Sequence, residues 1–293
     1  MAIQVELPGR VVAVTGAARG MGRAFVEGFL EAKARVVATD RSWAGTGDFH
    51  DRLASDPNAL ALDMDVTSDE QIDRAYEAAL ARFGTVDVLI NNAALLNMIL
   101  YPPTGRLTTL QTDDEGWMKS FAVNVFGALK VTRRFIKPMI EKRQGSIINI
   151  VSSGILAFSR GGGYGALRPN SREMPYMSSK AALATMSFYL ADEVRPDNVA
   201  VNIIIPGHTR GSWFDDAVRA RVAIGMPAGR RPVVPAHIVP LARFLASQDA
   251  SGVTGTMFDV MEWNLENGLG GHETWAERAL PDDLEQAFRA AGA

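Results

Sequence analysis

Tyr176 and Lys180, four residues apart in the sequence YMSSK, are the side chains of this chain best suited to proton transfer. On a helix, residues at this spacing lie one above the other on the same face. An ammonium group close to a phenol favours the phenolate, so Lys180 is expected to lower the pKa of Tyr176. A phenol with a pKa nearer neutrality can accept a proton from an alcohol or donate one to a ketone. The pair therefore indicates acid–base chemistry, although the same spacing also occurs on exposed helix faces.

A second phenol, Tyr164, has a different neighbour. Four residues after it lies Arg168. An arginine stays charged in proteins and cannot pass a proton along a relay. We therefore expect Tyr164 and Arg168 to contact a substrate or to support the fold rather than to exchange protons.

The composition excludes several classes of protein. Hydrophobic residues make up 47% and charged residues 22%, values typical of a globular protein, and the net charge of −3 provides no basic field for nucleic acid or anionic lipid. The absence of cysteine excludes disulfides and thiolate catalysis. The four histidines lack metal-ligand spacing, so no metal site is expected. Because the first residues lack a signal-peptide pattern and no apolar run reaches membrane-spanning length, we expect a cytoplasmic protein with no membrane partner.

Short apolar runs alternate with helical stretches along most of the chain. Continuous apolar strands are typical of a sheet buried on both faces, and strand–helix alternation predicts a doubly wound, mostly parallel α/β sheet. We expect a single domain over residues 1–293, with its core at about 7–261. The predicted strands are 10–15, 35–40, 59–66, 86–91, 145–151, 199–205 and 256–261, and the predicted helices 22–33, 68–83, 117–137, 176–195 and 235–247.

A glycine-rich turn, TGAARGMG, lies between the first predicted strand and the first predicted helix. Glycines at this point let the backbone approach a pyrophosphate, and the helix N-terminus supplies amide donors and a favourable dipole. The turn therefore predicts a dinucleotide site. The residues concerned are Thr15, Gly16, Arg19, Gly20, Met21 and Gly22.

Asp40, at the end of the second predicted strand, indicates which dinucleotide binds. A carboxylate there can accept hydrogen bonds from a ribose diol, and it repels a 2′-phosphate, which favours NAD. Arg19 and Arg41 argue for NADP, because a guanidinium can bind that phosphate. We predict NAD, with NADP as the alternative.

With these motifs in order, the chain from about residue 7 to about 261 resembles the short-chain dehydrogenase/reductase superfamily, which has a Rossmann-type sheet of about seven strands. Tyr176 and Lys180 match its catalytic pair. Ala94 departs from the glycine usual at its position, and Gly211 stands where the family often has a threonine, with Thr209 and Ser212 nearby. The other matching positions are Thr15, Gly16, Gly20, Gly22, Asp65, Val66, Asn92, Ala93, Asn124, Ser153, Pro206 and Gly207.

The resemblance implies an alcohol dehydrogenase or ketone reductase using a nicotinamide cofactor. Tyr176 would be the general base or acid, Lys180 would lower its pKa and bind the nicotinamide ribose, and Ser153 would donate to the substrate oxygen. Ser152 is the alternative serine. Asn124 would hold a water of a proton path. An NADPH-preferring carbonyl reductase and a non-catalytic nucleotide-binding scaffold are the other hypotheses. The resemblance further implies a homodimer or homotetramer acting on a small alcohol or ketone.

Three segments do not follow the simple alternation. Tyr176 lies 23 positions after Ser153, about twice the family's usual spacing, and the excess is the arginine-rich insertion 159–175. We expect this insertion to form one wall of the substrate pocket, where its arginines would bind a carboxylate or phosphate, or to be a solvated loop. Residues 207–234 resemble a substrate lid with His208, Trp213 and Phe214 as candidate contacts. The tail, 262–293, is expected to contain a small helix that docks on a neighbouring subunit.

Overall fold

A seven-stranded parallel sheet lies at the centre of the protein, in the order β3-β2-β1-β4-β5-β6-β7. The computed structural model describes residues 5–156 and 172–290. The strands are β1 Val11–Thr15, β2 Arg35–Asp40, β3 Ala59–Asp63, β4 Val88–Asn91, β5 Gly145–Ile150, β6 Val199–Ile205 and β7 Met257–Asp259. The predicted parallel, doubly wound architecture is confirmed.

Helices cover both faces of this sheet. Alternate residues of β1 point to opposite sides, so that Val12 and Val14 belong to one apolar cluster and Val11 and Ala13 to another. The helices are α1 Gly20–Glu31, α2 Phe49–Ser55, α3 Asp69–Phe83, α4 Asn97–Leu100, α5 Asp114–Phe121, α6 Ala128–Phe135, α7 Lys137–Lys142, α8 Tyr176–Glu193, α9 Phe214–Ala223, α10 Val239–Ala246, α11 Val260–Glu266, α12 His272–Trp275 and α13 Asp282–Ala290.

The predicted helix 117–137 is interrupted in the structure. It begins earlier, because the Asp113 side chain accepts from the Gly116 amide at 2.6 Å and caps α5. A π-helical segment, Ala122–Gly127, joins α5 to α6. The helix ends at Phe135, and Pro138, which has no amide hydrogen, lies in the first turn of α7.

The ends of two predicted strands were also placed too late. β3 stops at Asp63, because the Asp65 carboxylate accepts from the Thr67 amide at 2.8 Å and turns the chain toward α3. β7 stops at Asp259, because that side chain caps α11 by accepting from the Met261 amide at 2.9 Å. The first helix beyond the sheet therefore begins at Val260, ahead of the predicted tail.

All strands are parallel, so their carboxyl ends lie at one edge of the sheet, and the strand order reverses between β1 and β4. Such a reversal leaves a crevice in which doubly wound proteins bind ligands. Among the described residues, no helix combines the length and the apolar composition needed to span a membrane.

Candidate active site

The turn between β1 and α1 is packed too closely for side chains. Gly16 has a φ of +66°, and a Cβ there would lie 2.8 Å from the Cα of Ala93. A Cβ on Gly22 would lie 1.9 Å from the Gly16 carbonyl oxygen. Met21 packs against the core beneath the turn. Only glycine therefore allows the turn to pack this closely on itself and on the loop after β4.

Side chains and amides after β4 hold this turn. The Asn92 amide group donates to the carbonyl oxygens of Thr15 and Gly16, at 2.9 and 3.0 Å. The main-chain amides of Asn92 and Ala93 both donate to the Thr15 hydroxyl at 3.1 Å. Ala94, the next residue, is exposed. The predicted motifs after β1 and β4 thus form one hydrogen-bonded unit at the switch point of the sheet.

Asp40 lies against the same turn. One carboxylate oxygen accepts from the Ala18 amide at 3.0 Å and the other from the Ser42 amide at 3.1 Å. Since a carboxylate has about four acceptor sites, Asp40 can still accept from a diol. The Arg19 guanidinium donates to the carbonyl oxygen of Ala44, and Arg41 is exposed.

A cavity of about 290 Å³ opens beside the turn. Arg19 and Gly20 line one side, and Arg210 and Gly211 line the other. A Cβ on Gly20 would lie 3.8 Å from the Cα of Gly211, so the lid begins directly across from the turn. This cavity has the position and amide donors that a dinucleotide pyrophosphate requires.

Asp65 and Val66 lie farther along this edge, after β3. The Asp65 carboxylate accepts from both the amide and the hydroxyl of Thr67, at 2.8 and 2.7 Å. Val66 is buried and packs on Gly127, where a Cβ would lie 2.7 Å from a Val66 methyl carbon. The structure therefore uses Asp65 to shape the loop, with part of its surface still open to solvent.

Lys180 is buried beneath Tyr176 at the start of α8. The Lys180 ammonium donates to the Ile150 carbonyl oxygen at 2.8 Å and lies 5.7 Å from the centroid of the Tyr176 ring. Burial lowers the pKa of Lys180 to about 7. The pKa of Tyr176 is raised, first by burial and then by the charge of Glu173. The expected lowering of the Tyr176 pKa is therefore absent from these residues alone, because desolvation outweighs the lysine.

Lys180→Met is expected to change the pH dependence of stability. The pKa of Lys180 falls from 10.5 to about 7 on folding, so the unfolded chain binds more protons between these values. The wild type therefore has a stabilising contribution that is complete above pH 10.5 and is lost as the pH falls to about 7. We expect the difference in free energy of unfolding, wild type minus variant, to rise from pH 7 toward pH 10 in denaturant titrations. Parallel profiles would contradict this, and Lys33→Met, at an exposed position, is the control.

Ser153 and Asn124 flank this pair. Ser153 begins a 3₁₀ turn, Ser153–Ile155, that follows β5 and packs against α8, and both it and Ser152 are partly exposed. Asn124 lies on the π-helical segment, where its amide group donates to the Ser179 hydroxyl at 2.9 Å and its oxygen accepts from the Leu95 amide at 2.7 Å. Such π-helical turns are frequent at functional sites.

Asn97 belongs to the site but carried no signal in the sequence. Its oxygen accepts from the Tyr176 amide at 3.2 Å, and its amide group donates to the Met174 carbonyl at 2.9 Å. These bonds hold the first turn of α8. A buried ladder was also missed, in which Asn91 donates to Asn149 at 2.8 Å and Asn149 donates to Ser187 at 2.8 Å. Only their contacts across the sheet distinguish these residues from other buried polar side chains.

The lid begins after β6 at Pro206 and Gly207, and Gly207 has a φ of +72°. The Thr209 hydroxyl donates to the Pro206 carbonyl at 3.1 Å. Buried His237, one of the four histidines, lies 2.7 Å through Nε2 from the same carbonyl oxygen. Burial lowers the pKa of His237. This histidine joins the two ends of the lid and is a structural residue.

The lid residues predicted to contact substrate differ in their surroundings. Phe214 is 1% exposed and belongs to an apolar cluster of the lid and tail. The His208 ring lies edge-on to Phe214, with centroids 5.4 Å apart. Trp213 is partly exposed and its indole nitrogen lies against Gly211. Tyr164 and Arg168, from the arginine-rich insertion, lie outside the described residues.

The tail helix α13 docks on its own chain, so the hypothesis that it covers a neighbouring subunit is wrong. Its apolar residues Leu284 and Phe288 are 1% and 0% exposed. They pack on Phe214 and Val218 of α9. The tail does contain the expected small helix, but it packs on a lid helix that the sequence did not reveal.

Comparisons with known proteins agree with this geometry. The short chain dehydrogenase family matches residues 10–221. The fluoren-9-ol dehydrogenase of Terrabacter sp. strain DBF63 is 51% identical over 285 residues, which cover 97% of this chain and 80% of that protein. The 3-oxoacyl-acyl-carrier-protein reductase of Vibrio cholerae is 30% identical over 87% of this chain and 97% of its own.

A solved structure is similar over most of the fold. It is the 3-ketoacyl-(acyl-carrier-protein) reductase of Brucella melitensis complexed with NADH, which superposes with a TM-score of 0.70 at 28% identity, covering 86% of this chain and 97% of that one. The family match, the relatives and the fold all point to one family. The chain belongs to the short-chain dehydrogenase family and is an oxidoreductase that interconverts a secondary alcohol and a ketone.

Proposed function

We propose that this enzyme oxidises an aromatic secondary alcohol to the ketone with NAD, through Tyr176. The observation that carries the proposal is the start of α8, where Tyr176 lies above buried Lys180, whose ammonium bonds to the carboxyl end of β5. The 51% identity to a fluoren-9-ol dehydrogenase supports a substrate with a carbinol carbon between aromatic rings. We also propose that the chain is one domain, with the lid and tail as parts of it.

In this mechanism Tyr176 accepts the hydroxyl proton of the alcohol, and Ser153 donates a hydrogen bond to the same oxygen as charge develops there. NAD, when bound, would supply the hydride acceptor and a positive charge that favours the Tyr176 phenolate. Lys180, which donates to the Ile150 carbonyl oxygen, would also bind the ribose. Asn124 orients Ser179 and the loop after β4, and it would thereby fix the positions of the groups along the proton path.

The residues of the turn fit such a cofactor. Gly16 and Gly22 let the turn pack tightly against Ala93 and against itself, and the N-terminus of α1 would direct its amides at a pyrophosphate. Asp40 would accept from the adenosine ribose, with Asp65 and Val66 near the adenine. Two loops would close on the nicotinamide half of the cofactor. They are the loop after β4, Asn92 to Ala94, and the start of the lid, with Pro206, Gly207 and Thr209.

A direct assay tests the reaction. Purified enzyme with fluoren-9-ol and NAD is expected to produce NADH absorbance and fluoren-9-one, and NADP in place of NAD should react more slowly. Failure to oxidise fluoren-9-ol, together with turnover of an aliphatic alcohol, would refute the aromatic substrate while leaving the reaction class unaffected.

Asp40→Asn is expected to shift cofactor preference toward NADP. The amide removes the negative charge that repels a 2′-phosphate yet keeps an oxygen to accept from the turn. We expect the ratio of kcat/KM for NAD over that for NADP to fall by about tenfold or more, equivalent to ~1.4 kcal/mol. Arg41→Gln, beside it, should move the ratio in the opposite direction. An unchanged ratio in the Asp40 variant would show that this carboxylate does not select the cofactor.

We further propose a homodimer or homotetramer. Along α5, the π-helical segment and α8, which contact one another, large apolar side chains are exposed. Met118 is 65%, Phe126 55% and Tyr189 70% exposed. A second copy that covers this face would remove them from water.

A further inference from the structure

The helix that carries Tyr176 begins without a cap from the residue just before it. The first amides of a helix have no acceptor within the helix, and a side chain at its start usually supplies one. The residue at that place in α8 is Pro175, which has no side-chain oxygen and makes no cap bond. The amide of Tyr176, the first residue of α8, therefore needs an acceptor from another part of the chain.

Asn97, the first residue of α4, supplies that acceptor. Its side-chain oxygen accepts from the Tyr176 amide at 3.2 Å, and its amide group donates to the Met174 carbonyl oxygen at 2.9 Å. The residue is 8% exposed, so water competes little for either bond. One asparagine side chain thus holds the backbone on both sides of Pro175.

The backbone of Asn97 is itself held in place by its own loop. Its carbonyl oxygen accepts from the Tyr101 amide at 2.7 Å. Gly105 packs so closely on it that a Cβ on the glycine would lie 2.9 Å from the Asn97 carbonyl carbon. A side chain that starts from such a fixed backbone can determine the position of the group it bonds.

Residues 92–97 form a connecting segment between the cofactor turn and the start of α8. At one end, the Asn92 amide group donates to the carbonyl oxygens of Thr15 and Gly16 at 2.9 and 3.0 Å. At the other end, Asn97 bonds to the first amide of α8. Six consecutive residues therefore join the two parts of the site that the reaction must bring together.

Asn124 holds the middle of the connecting segment and the same tyrosine. Its side chain accepts from the Leu95 amide at 2.7 Å and donates to the Leu95 carbonyl oxygen at 3.1 Å. It also donates to the Ser179 hydroxyl at 2.9 Å, and that hydroxyl donates to the Tyr176 carbonyl oxygen at 2.7 Å. The backbone of Tyr176 is thus tied to the connecting segment through its amide and through its carbonyl.

We propose that Asn97 is a positioning residue of this enzyme: it caps the helix of Tyr176 and fixes the phenol relative to the cofactor turn. Transfer of a proton and a hydride requires the reacting groups at a set separation, and a displacement of about 1 Å can cost about a hundredfold in rate. Asn97 acts on the reaction through Tyr176. The inference rests on the proposed role of that tyrosine and adds a residue from outside both the turn and α8.

Two variants of Asn97 test this role, assayed with the secondary alcohol that the wild type oxidises fastest. Asn97→Ala removes both bonds, and we expect kcat to fall about tenfold to a hundredfold. The Kd for NADH, measured by fluorescence titration, should be unchanged, because Asn92 still holds the turn. Asn97→Asp keeps an oxygen for the Tyr176 amide and should restore most of kcat. An Asn97→Asp variant as slow as Asn97→Ala would overturn the proposal.

Asn202→Ala is the matched control. Asn202 is buried in β6, where its amide group donates to the Val253 carbonyl oxygen at 2.7 Å and its oxygen accepts from the Thr256 amide at 3.2 Å. It makes the same two kinds of bond as Asn97, but with the segment that precedes β7. We expect Asn202→Ala to lower Tm without slowing kcat. Equal losses of kcat in the two alanine variants would reduce the role of Asn97 to general stability.

Hydrogen exchange gives a readout that does not depend on turnover. The Tyr176 amide should exchange faster in Asn97→Ala than in the wild type, and Asn97→Asp should return its rate toward that of the wild type. An unchanged rate in Asn97→Ala would contradict the cap. If the wild type oxidises no secondary alcohol, the proposed function fails, and the exchange rates alone then decide whether Asn97 positions Tyr176.

Discussion

Replacing Tyr176 with phenylalanine is expected to lower kcat by about a hundredfold to ten-thousandfold, the usual contribution of a positioned general acid or base. The variant loses one oxygen and keeps the ring that covers Lys180. Since the Tyr176 amide, rather than its hydroxyl, bonds to Asn97 at 3.2 Å, the first turn of α8 should be unchanged. The loss is therefore expected in the chemical step, with little change in the KM for the cofactor.

Steady-state kinetics and cofactor-induced thermal stabilisation together test this expectation. Stabilisation by NADH equal to that of the wild type would show that the nucleotide site is intact. Tyr189→Phe is the matched control, because this phenol lies on the same helix and is 70% exposed. Substantial activity in the Tyr176 variant would transfer the acid–base role to another group, with Tyr164 as the remaining phenol of the insertion.

Truncating Phe288 to alanine is expected to destabilise the lid and tail by about 3–5 kcal/mol, the usual cost of removing a buried aromatic side chain. Phe288 is fully buried and stacks on Phe214, with ring centroids 6.3 Å apart and planes within 10°. Its face also receives the guanidinium of Arg231 at 5.6 Å. The alanine would leave a cavity between α13 and α9. The lid helix α9 would then lose part of its packing against the tail.

The functional consequence should be a higher KM for substrate and faster hydrogen exchange across residues 207–234. Arg289→Ala is the control on the same helix, since its side chain is 77% exposed and its ion pair with Glu285 is screened by solvent. An unchanged rate of hydrogen exchange in the lid of the Phe288 variant would show that the tail does not stabilise the lid.

This expectation depends on the way the lid and tail are joined. Thr209, near the start of the lid, pairs with Val233 near the lid's other end, and Val233 pairs in turn with Ala276 of the tail. The Val234 amide donates to the Trp275 carbonyl at 2.9 Å. Because isolated β-bridges join the two ends of the lid to the tail, we expect movement of the lid to involve the tail.

The fold class followed from the sequence because its signals are local. Apolar runs such as VAVNIII occupy a strand, Val199–Ile205, whose bounds were predicted correctly, since a strand buried on both faces must be apolar throughout. Ser68, the first residue of the predicted helix 68–83, caps that helix by accepting from the Gln71 amide at 3.3 Å. The interruption at Ala122–Gly127 was not visible, because each of its residues is compatible with an ordinary helix.

The residues of the candidate site fall into two groups. Local sequence patterns predicted some of them, and only contacts between residues distant in sequence reveal the others. Type and spacing alone identified the glycines of the cofactor turn and the pair Tyr176 and Lys180, because tight backbone approach and helical periodicity are encoded over a few residues. The role of Asn97 depends on a bond to a residue 79 positions away, and no pattern records that contact.

The sequence by itself therefore determined the parallel sheet, and it predicted the glycine-rich turn as a dinucleotide site and Tyr176 with Lys180 as an acid–base pair. The tertiary structure decided that the tail packs on the lid of its own chain, and that Arg219 and Arg231 of the lid pair with acidic residues of the tail. It also reversed the expected sign of the Tyr176 pKa shift. The physical reason is common to all three. Burial and charge at a position are sums over side chains that are distant in sequence, so they exist only once the chain has folded.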